Sequence, residues 1–521
     1  MAKTMNNIYV KAMLGSVVAT FLLGGCMVGP KYHPPAATVN APPAAYKELP
    51  TQTADPGDWK VAQPQDAMLH GKWWEIYNDP ELNSLEEQLN INNQNIKQFF
   101  ENFMAARTIV AQARSQLYPT IGTTPSIQRS RTSANLKSGG TTTTSSGSGG
   151  TTTTTTPSLD SSLYTLPVAA SWEPDLWGKV RNTIRQAQYN AQLSAADLEN
   201  ERLSEQASLA IFLFELRGQD ALQKIFDETI EADKKSVELT RARYETGVDD
   251  QISVVQAQNA LDSAEAAGTN LGIARAQFEH AIAVLIGTTP SSFSIPVKPL
   301  TQAPPTIPVG VPSQLLERRP DIAASERTMA AANAQIGIAV AAYYPNLTLS
   351  AEAGLESSAL NKLFEWPSRF WSVGASLSET LFDAGLRRAT VNQYLAVYNA
   401  DVASYRQTVL TAFQQVEDSM STVRILSKQI EQQERAEQSA ERYLELAKAR
   451  YFTGVDTYLN VLVAQTTLLT DQQELASLRI QAETASVQLI EALGGGWDRS
   501  QLPGPAQVSQ KVTKSEIDSQ K

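Results

Sequence analysis

The side chains in this sequence best able to act as nucleophiles, proton carriers or soft metal ligands are one thiol, Cys26, and three imidazoles, His33, His70 and His280. A single cysteine leaves no internal disulfide and no thiolate cluster. The histidines stand in unrelated contexts. A helical Glu-x-x-His metal site would need a carboxylate three residues before His280, where Gln277 stands. No glycine-rich phosphate loop or nucleophile elbow is present. The acidic residues are scattered among Gln and Arg, as on solvated helix faces. The expectation is a chain with no catalytic centre, no metal and no cofactor. A formal net charge of −11 argues against nucleic acid as a partner.

Cys26 suits a different chemistry, attachment of lipid. Lys3 and Lys11 flank the start, Ala12 to Leu23 is mostly apolar, and Leu23-Gly24-Gly25-Cys26 follows. The run is too short to span a bilayer and has the anatomy of an export signal. Small residues directly before the cysteine resemble a bacterial lipobox, which would make residues 1–25 the signal peptide and Cys26 the first mature, lipid-bearing residue. Met27 follows, not the Asp that usually retains lipoproteins in the inner membrane, so the lipobox resemblance implies the outer membrane. Residues 26–70, rich in Pro and Ala, read as an extended tether.

The other candidate site is written twice. RARYETGVDDQISVVQAQ at 241–258 returns as KARYFTGVDTYLNVLVAQ at 448–465, an offset of 207 that still holds at Gly287 and Gly494. Each copy joins a very long helical pattern to a shorter one. Each therefore reads as a helical hairpin, with Gly247 and Gly454 in the left-handed turn and Asp249 and Asp456 placed to cap the returning helix. The chain is then two repeats, 71–289 and 315–496, with a Pro-rich linker at 290–314 and a disordered tail at 497–521.

Four stretches must carry these hairpins to a membrane. Leu347 to Ala353 and Trp371 to Ser378 alternate apolar with polar residues, and weaker counterparts start at Ile121 and Tyr164. Strands are expected at about 120–129, 163–172, 346–354 and 370–379, as two hairpins with Trp172 and Trp371 at strand ends, where an interfacial girdle would lie. Four strands cannot close a barrel, and an open edge cannot sit in hydrocarbon. Two chains would give eight strands filled by their own side chains; three would give twelve, wide enough for a pore. The Ser/Thr/Gly tract from 138 to 156 reads as a solvated outer loop. Long helices are expected from about Asp175 to Tyr244 and from about Asp383 to Tyr451, where Val180, Ile184, Ala187, Ala191, Ala195 and Leu198 keep a coiled-coil cadence. At 1.5 Å per residue, roughly 70 residues reach about 100 Å. Shorter helices, 81–117 and 322–343, would complete the wall.

The Cys-Met-Val-Gly-Pro start at 26–30, Trp73-Trp74, LLERRPDIAASE at 315–326, and the paired Tyr-x-Thr-Gly-Val-Asp turns together resemble outer-membrane efflux factors of the TolC/OprM type, in the lipoprotein NodT-like branch. The resemblance spans Cys26 to about Gly496. It implies a mainly α fold with a membrane β-barrel: a homotrimer whose 12-stranded barrel, four strands per chain, continues into a long coiled-coil α-barrel crossing the periplasm. It implies docking on a periplasmic membrane-fusion adaptor through Gly247, Val248, Gly454 and Val455, an inner-membrane pump of the RND class, and export of drugs or other small toxic molecules. The family often narrows the periplasmic end with aspartates six and nine residues after the second tip glycine; here those positions are Asn460 and Val463. The Asp that often ties the closed state is Ser253, while Tyr451 fits the constriction. A less acidic mouth with lower cation selectivity is expected. The alternative is a periplasmic adaptor or structural coiled-coil lipoprotein that forms no pore, which leaves the alternating strands unexplained.

Overall fold

The computed structural model describes residues 27–38, 46–48, 71–131, 160–301, 303–308 and 312–512. Cys26, the signal segment and the 138–156 tract lie outside them. The first repeat contains α1 (Pro80–Asn92), α2 (Gln94–Ser115), β1 (Thr120–Thr123), β2 (Ser126–Arg131), β3 (Asp160–Trp172), α3 (Lys179–Glu245) and α4 (Gln251–Leu285). The second contains α5 (Pro312–Arg318), α6 (Pro320–Ala341), β4 (Asn346–Ser357), β5 (Arg369–Ser378), α7 (Leu386–Phe452) and α8 (Tyr458–Ala492), and α9 (Pro505–Val508) follows. The duplication is kept in length: α3 and α7 have 67 residues each, α4 and α8 have 35. Among the described residues no helix is long and apolar enough to cross a membrane.

The chain divides into two compact units. One holds the strands, as a single antiparallel sheet in which β1 and β2 both pair with β3, β3 with β4, and β4 with β5. The expectation of two separate hairpins is corrected here. Tyr164 through Trp172 pair with Ser357 back through Leu349, so the repeats share one ladder. The first strand is broken around Thr124-Pro125, where proline has no N–H to give the ladder. Its two pieces still pair with one partner strand, so the sheet is four strands wide.

Register places the apolar residues together. Trp172 faces Leu349, which faces Ala375; Val168 faces Ala353, which faces Trp371; Ile121 faces Ala170. That face therefore carries Leu166, Val168, Leu347, Leu349, Val373 and Leu377, with Trp172 and Trp371 near opposite ends. The other carries Thr165, Ser171, Thr348, Ser350, Glu352, Ser372 and Ser376. Among the described residues nothing covers the apolar face at β5: Val373 is 75% and Trp371 78% exposed. β3, β4 and β5 have 13, 12 and 10 residues. At about 3.3 Å per residue and a tilt near 40°, strands of this length would suffice for a hydrocarbon core of about 25–30 Å.

The other unit is helical. Ala187, Ala191, Ala195 and Leu198 of α3 are buried in it, as their cadence predicts; Val180 and Ile184, on the stretch of α3 that belongs to the strand-bearing unit, are buried too. Gly218 lets α3 approach α8, since a Cβ there would lie 2.3 Å from the Ile480 side chain. The single helix expected over 81–117 is two. Asn93 divides it: its Oδ1 accepts from the Ile96 N–H and caps α2, while its Nδ2 donates to Glu205 and the Leu285 carbonyl. The expectation of a disordered tail from 497 does not hold for 497–512. Trp497 packs with Ala196, Ala323 and Ala324, Val508 is fully buried, and Gln188 and Gln192 hydrogen-bond to the segment. Part of the expected tether is docked as well: Tyr46 is buried, and the Lys47 and Glu48 amides donate to the Glu417 carboxylate.

Candidate functional site at the hairpin tips

Each tip is closed by the same hydrogen bonds. The Val248 N–H reaches the Arg243 carbonyl and Gly247 that of Tyr244; Val455 and Gly454 repeat this with Arg450 and Tyr451. This motif needs a left-handed residue just past the helix end, and Gly247 and Gly454 both have φ of +75°. A Cβ at either would meet nothing within 4 Å, so only backbone strain opposes a side chain. Gly247→Ala and Gly454→Ala are each expected to cost about 1–2 kcal/mol, read as a lower thermal midpoint with unchanged helix content. A loss of helix would contradict this. Val248 and Val455 project from the turns, 63% and 64% exposed.

The caps differ from expectation. Asp250, not Asp249, caps α4, accepting from the Ser253 N–H at 3.0 Å; those bonds hold its carboxyl below the usual range. Thr457 stands at the cap position of α8 without a side-chain cap bond. Asp249 and Asp456 instead reach back across their turns, Asp249 to Arg243 Nε at 3.0 Å and Asp456 to Arg450 Nε at 2.6 Å. The one-residue shift follows from the left-handed glycine, which spends Val248 and the first Asp on the turn itself.

The two tips are not equivalent. Tyr244 is 45% exposed, whereas its counterpart Tyr451 is 2% exposed. The Arg243 guanidinium lies 4.6 Å from the centroid of the Tyr451 ring, Tyr458 meets that ring edge-on, and the Tyr451 hydroxyl donates to Asp249 Oδ2. A residue of the second hairpin is thus held by the ion pair of the first. Burial, then the Asp249 carboxylate, pushes the Tyr451 phenol far up, so it stays a proton donor throughout the physiological range. The four helices meet around it through Val237, Ala257, Leu261, Ala447, Tyr458, Val461 and Ala464. A groove of about 630 Å³ opens beside it between Glu228, Lys235, Lys448 and Phe452. Close by, burial pushes Asp233 up to about 6 against the pull of Lys448.

Of the other expected site residues, Ser253 is buried with its hydroxyl donating to Asp250, and Asn460 donates to Asp456 at 3.0 Å. Val463 stands 47% exposed beside a separate groove with Thr466 and Thr470. Ser253 and Asn460 are thus held by different aspartates, while Val463 lines a groove that includes neither. Arg243 and Asp249 escaped sequence reasoning as partners of Tyr451. Their signal was the Arg-x5-Asp spacing common to both copies. Among the described residues no group of His, Cys, Asp and Glu is arranged to hold a metal.

The sequence matches the family described as outer membrane efflux protein over residues 85–288 and 311–495. It is 32% identical over 490 residues to the probable efflux pump outer membrane protein TtgC of Pseudomonas putida, covering 94% of this chain and 96% of the relative. It is 29% identical over 492 residues to the outer membrane protein OprJ of Pseudomonas aeruginosa, covering 93% and 96%. Among solved structures, the outer-membrane channel OprN superposes with a TM-score of 0.78 at 26% identity over 91% of this chain and 100% of that one. The Campylobacter jejuni CmeC outer membrane channel, at 22% identity, shares the fold with a TM-score of 0.78 over 94% of this chain.

Proposed function

The chain belongs to the outer membrane efflux protein family, and we propose that it acts as a passive duct through which drugs or other small toxic molecules leave the cell. It is an efflux protein of the outer membrane, not an adaptor that forms no pore. The observation that supports the duct most strongly is the sheet. It is four strands wide, apolar and uncovered on one face, small and hydroxyl-rich on the other, with the outer edges of β5 and of β1 and β2 unpaired among the described residues. Edges cannot stay open in hydrocarbon. In this reading three copies pair edge to edge into a 12-stranded barrel with a polar lumen, and the long helices form the periplasmic wall.

Lipid on Cys26 anchors each chain to the outer membrane. The tips, Gly247-Val248 and Gly454-Val455, dock on a periplasmic membrane-fusion adaptor, and an RND-class inner-membrane pump supplies the energy. The duct has no catalytic step of its own. Tyr451, held through Asp249 and Arg243, pins the second hairpin at the mouth, with Ser253, Asn460 and Val463 as the further constriction. A neutral-to-charged hydrogen bond contributes about 1.5–3 kcal/mol. Tyr451→Phe is therefore expected to shift the closed-to-open ratio about tenfold or more, read as more frequent openings of single channels. Unchanged opening would show that this tie does not hold the mouth. Removing the chain from its host is expected to raise accumulation of a fluorescent efflux dye severalfold, and restoring it to reverse the rise; equal accumulation contradicts the export role.

A further inference from the structure

Away from the tips, in the helical unit, a cavity of about 400 Å³ is lined by Tyr77, Phe214, Arg217, Lys298, Leu300 and Glu483. Its charges do not balance. Arg217 is bound to Asp79 and Glu81, and Lys298 reaches Asp79 at 3.4 Å, so these two cations already answer two carboxylates. Glu483 is a third. It is 2% exposed and its Oε2 has no hydrogen-bond partner; Arg217 gives both terminal nitrogens to Asp79 and Glu81, and its Nε, also unpartnered, makes no hydrogen bond to Glu483. Asn78 and Thr301 add uncharged polar groups to the wall and the rest is apolar or aromatic, with the Tyr77 and Phe214 rings 5.0 Å apart and the Tyr77 hydroxyl occupied by Ser486. A cavity short of one positive charge and walled by two aromatic rings has the chemistry that recognises an organic cation.

We propose that this cavity binds the protonated amine of a small organic cation, with Glu483 as its counter-charge and the Tyr77 and Phe214 rings against its apolar body. Without the ligand a proton takes its place: burial pushes the Glu483 carboxyl up to about 8, Arg217 opposing. Binding therefore exchanges that proton for the ammonium group. The amine enters as R–NH3+, Glu483 becomes a carboxylate, and its proton goes to solvent. An anionic ligand would meet the opposite preference, held by protonated Glu483 and repelled once it ionises. The site is separate from the hairpin tips, and its test does not depend on whether the chain conducts.

The test is calorimetric titration of the purified full-length protein in detergent with 2-phenylethylamine, in buffers of differing ionisation enthalpy. The expected result at pH 7 is binding with close to one proton released per amine. Affinity should weaken about tenfold per pH unit from about 8 down to 6. Glu483→Gln should weaken binding at least tenfold and abolish the proton release. Binding that is absent, that strengthens on acidification, that releases no proton, or that survives Glu483→Gln intact overturns the proposal. The pH and proton measurements on the unaltered protein decide the matter even where that variant fails to fold.

Discussion

Placing arginine at Val373 is expected to keep the chain out of the outer membrane. Val373 sits mid-strand in β5, 75% exposed on the apolar face and opposite Ala351. Arginine near the midplane on a lipid-facing strand costs about 2–4 kcal/mol per chain, about three times that for an assembly of three. Ser372→Arg, one residue earlier and hence on the other face, is the control and is expected to cost far less. The measurement is the amount of heat-resistant oligomer in washed outer membranes. Large loss for Val373→Arg with near-normal assembly for Ser372→Arg is the expected pattern. Equal loss for both would mean that this face does not meet lipid.

Arg217→Ala is expected to destabilise the helical unit by about 3–5 kcal/mol, because it takes the main counter-charge from the buried Asp79, leaving it only Lys298 at 3.4 Å, and unpairs the half-buried Glu81. Arg217 is 3% exposed in the middle of α3 and binds Asp79, the N-cap of α1, and Glu81 at 2.7 Å. Burial alone would raise the Asp79 carboxyl, but the Arg217 hydrogen bonds and charge, with the Leu82 N–H, hold it down at about 2. A carboxyl depressed in the folded state contributes stability that is present above its unfolded value near 4 and is lost as pH falls through about 2. The variant should therefore lose stability at neutral pH and recover part of the difference on acidification, as the stranded Asp79 takes up a proton. Thermal melts between pH 3 and 7 check this; a gap between variant and parent that is constant with pH would show that the Asp79 charge is not the cause.

These two predictions rest on different kinds of legibility. The alternation around Val373 was plain in the residues, and so were both faces of the sheet, because a period of two survives in any strand whose faces meet different media. The pairing of β3 with β4 was not: Tyr164 and Ser357 are far apart in the chain, and nothing local selects that register. The duplicated turns announced Gly247 and Gly454, but the cap was misplaced by one residue, since Asp249 and Asp250 are chemically alike and only backbone geometry separates them. The repeat also concealed an asymmetry. Tyr244 and Tyr451 occupy matching positions, yet only Tyr451 is covered, by an arginine from the other copy. Arg217 and Glu483 were invisible for a related reason: a charged residue inside a long, polar-rich helix reads as solvated until its neighbours are known. The packing of Trp497 and Val508 was missed because the segment around them is polar and short.

Single-channel recording of the purified protein in planar lipid bilayers tests the central claim most directly. Discrete conductance steps with weak cation preference, growing more frequent in Tyr451→Phe, are the expected result. Protein that inserts as an oligomer yet passes no current at any voltage, in either form, would contradict the duct.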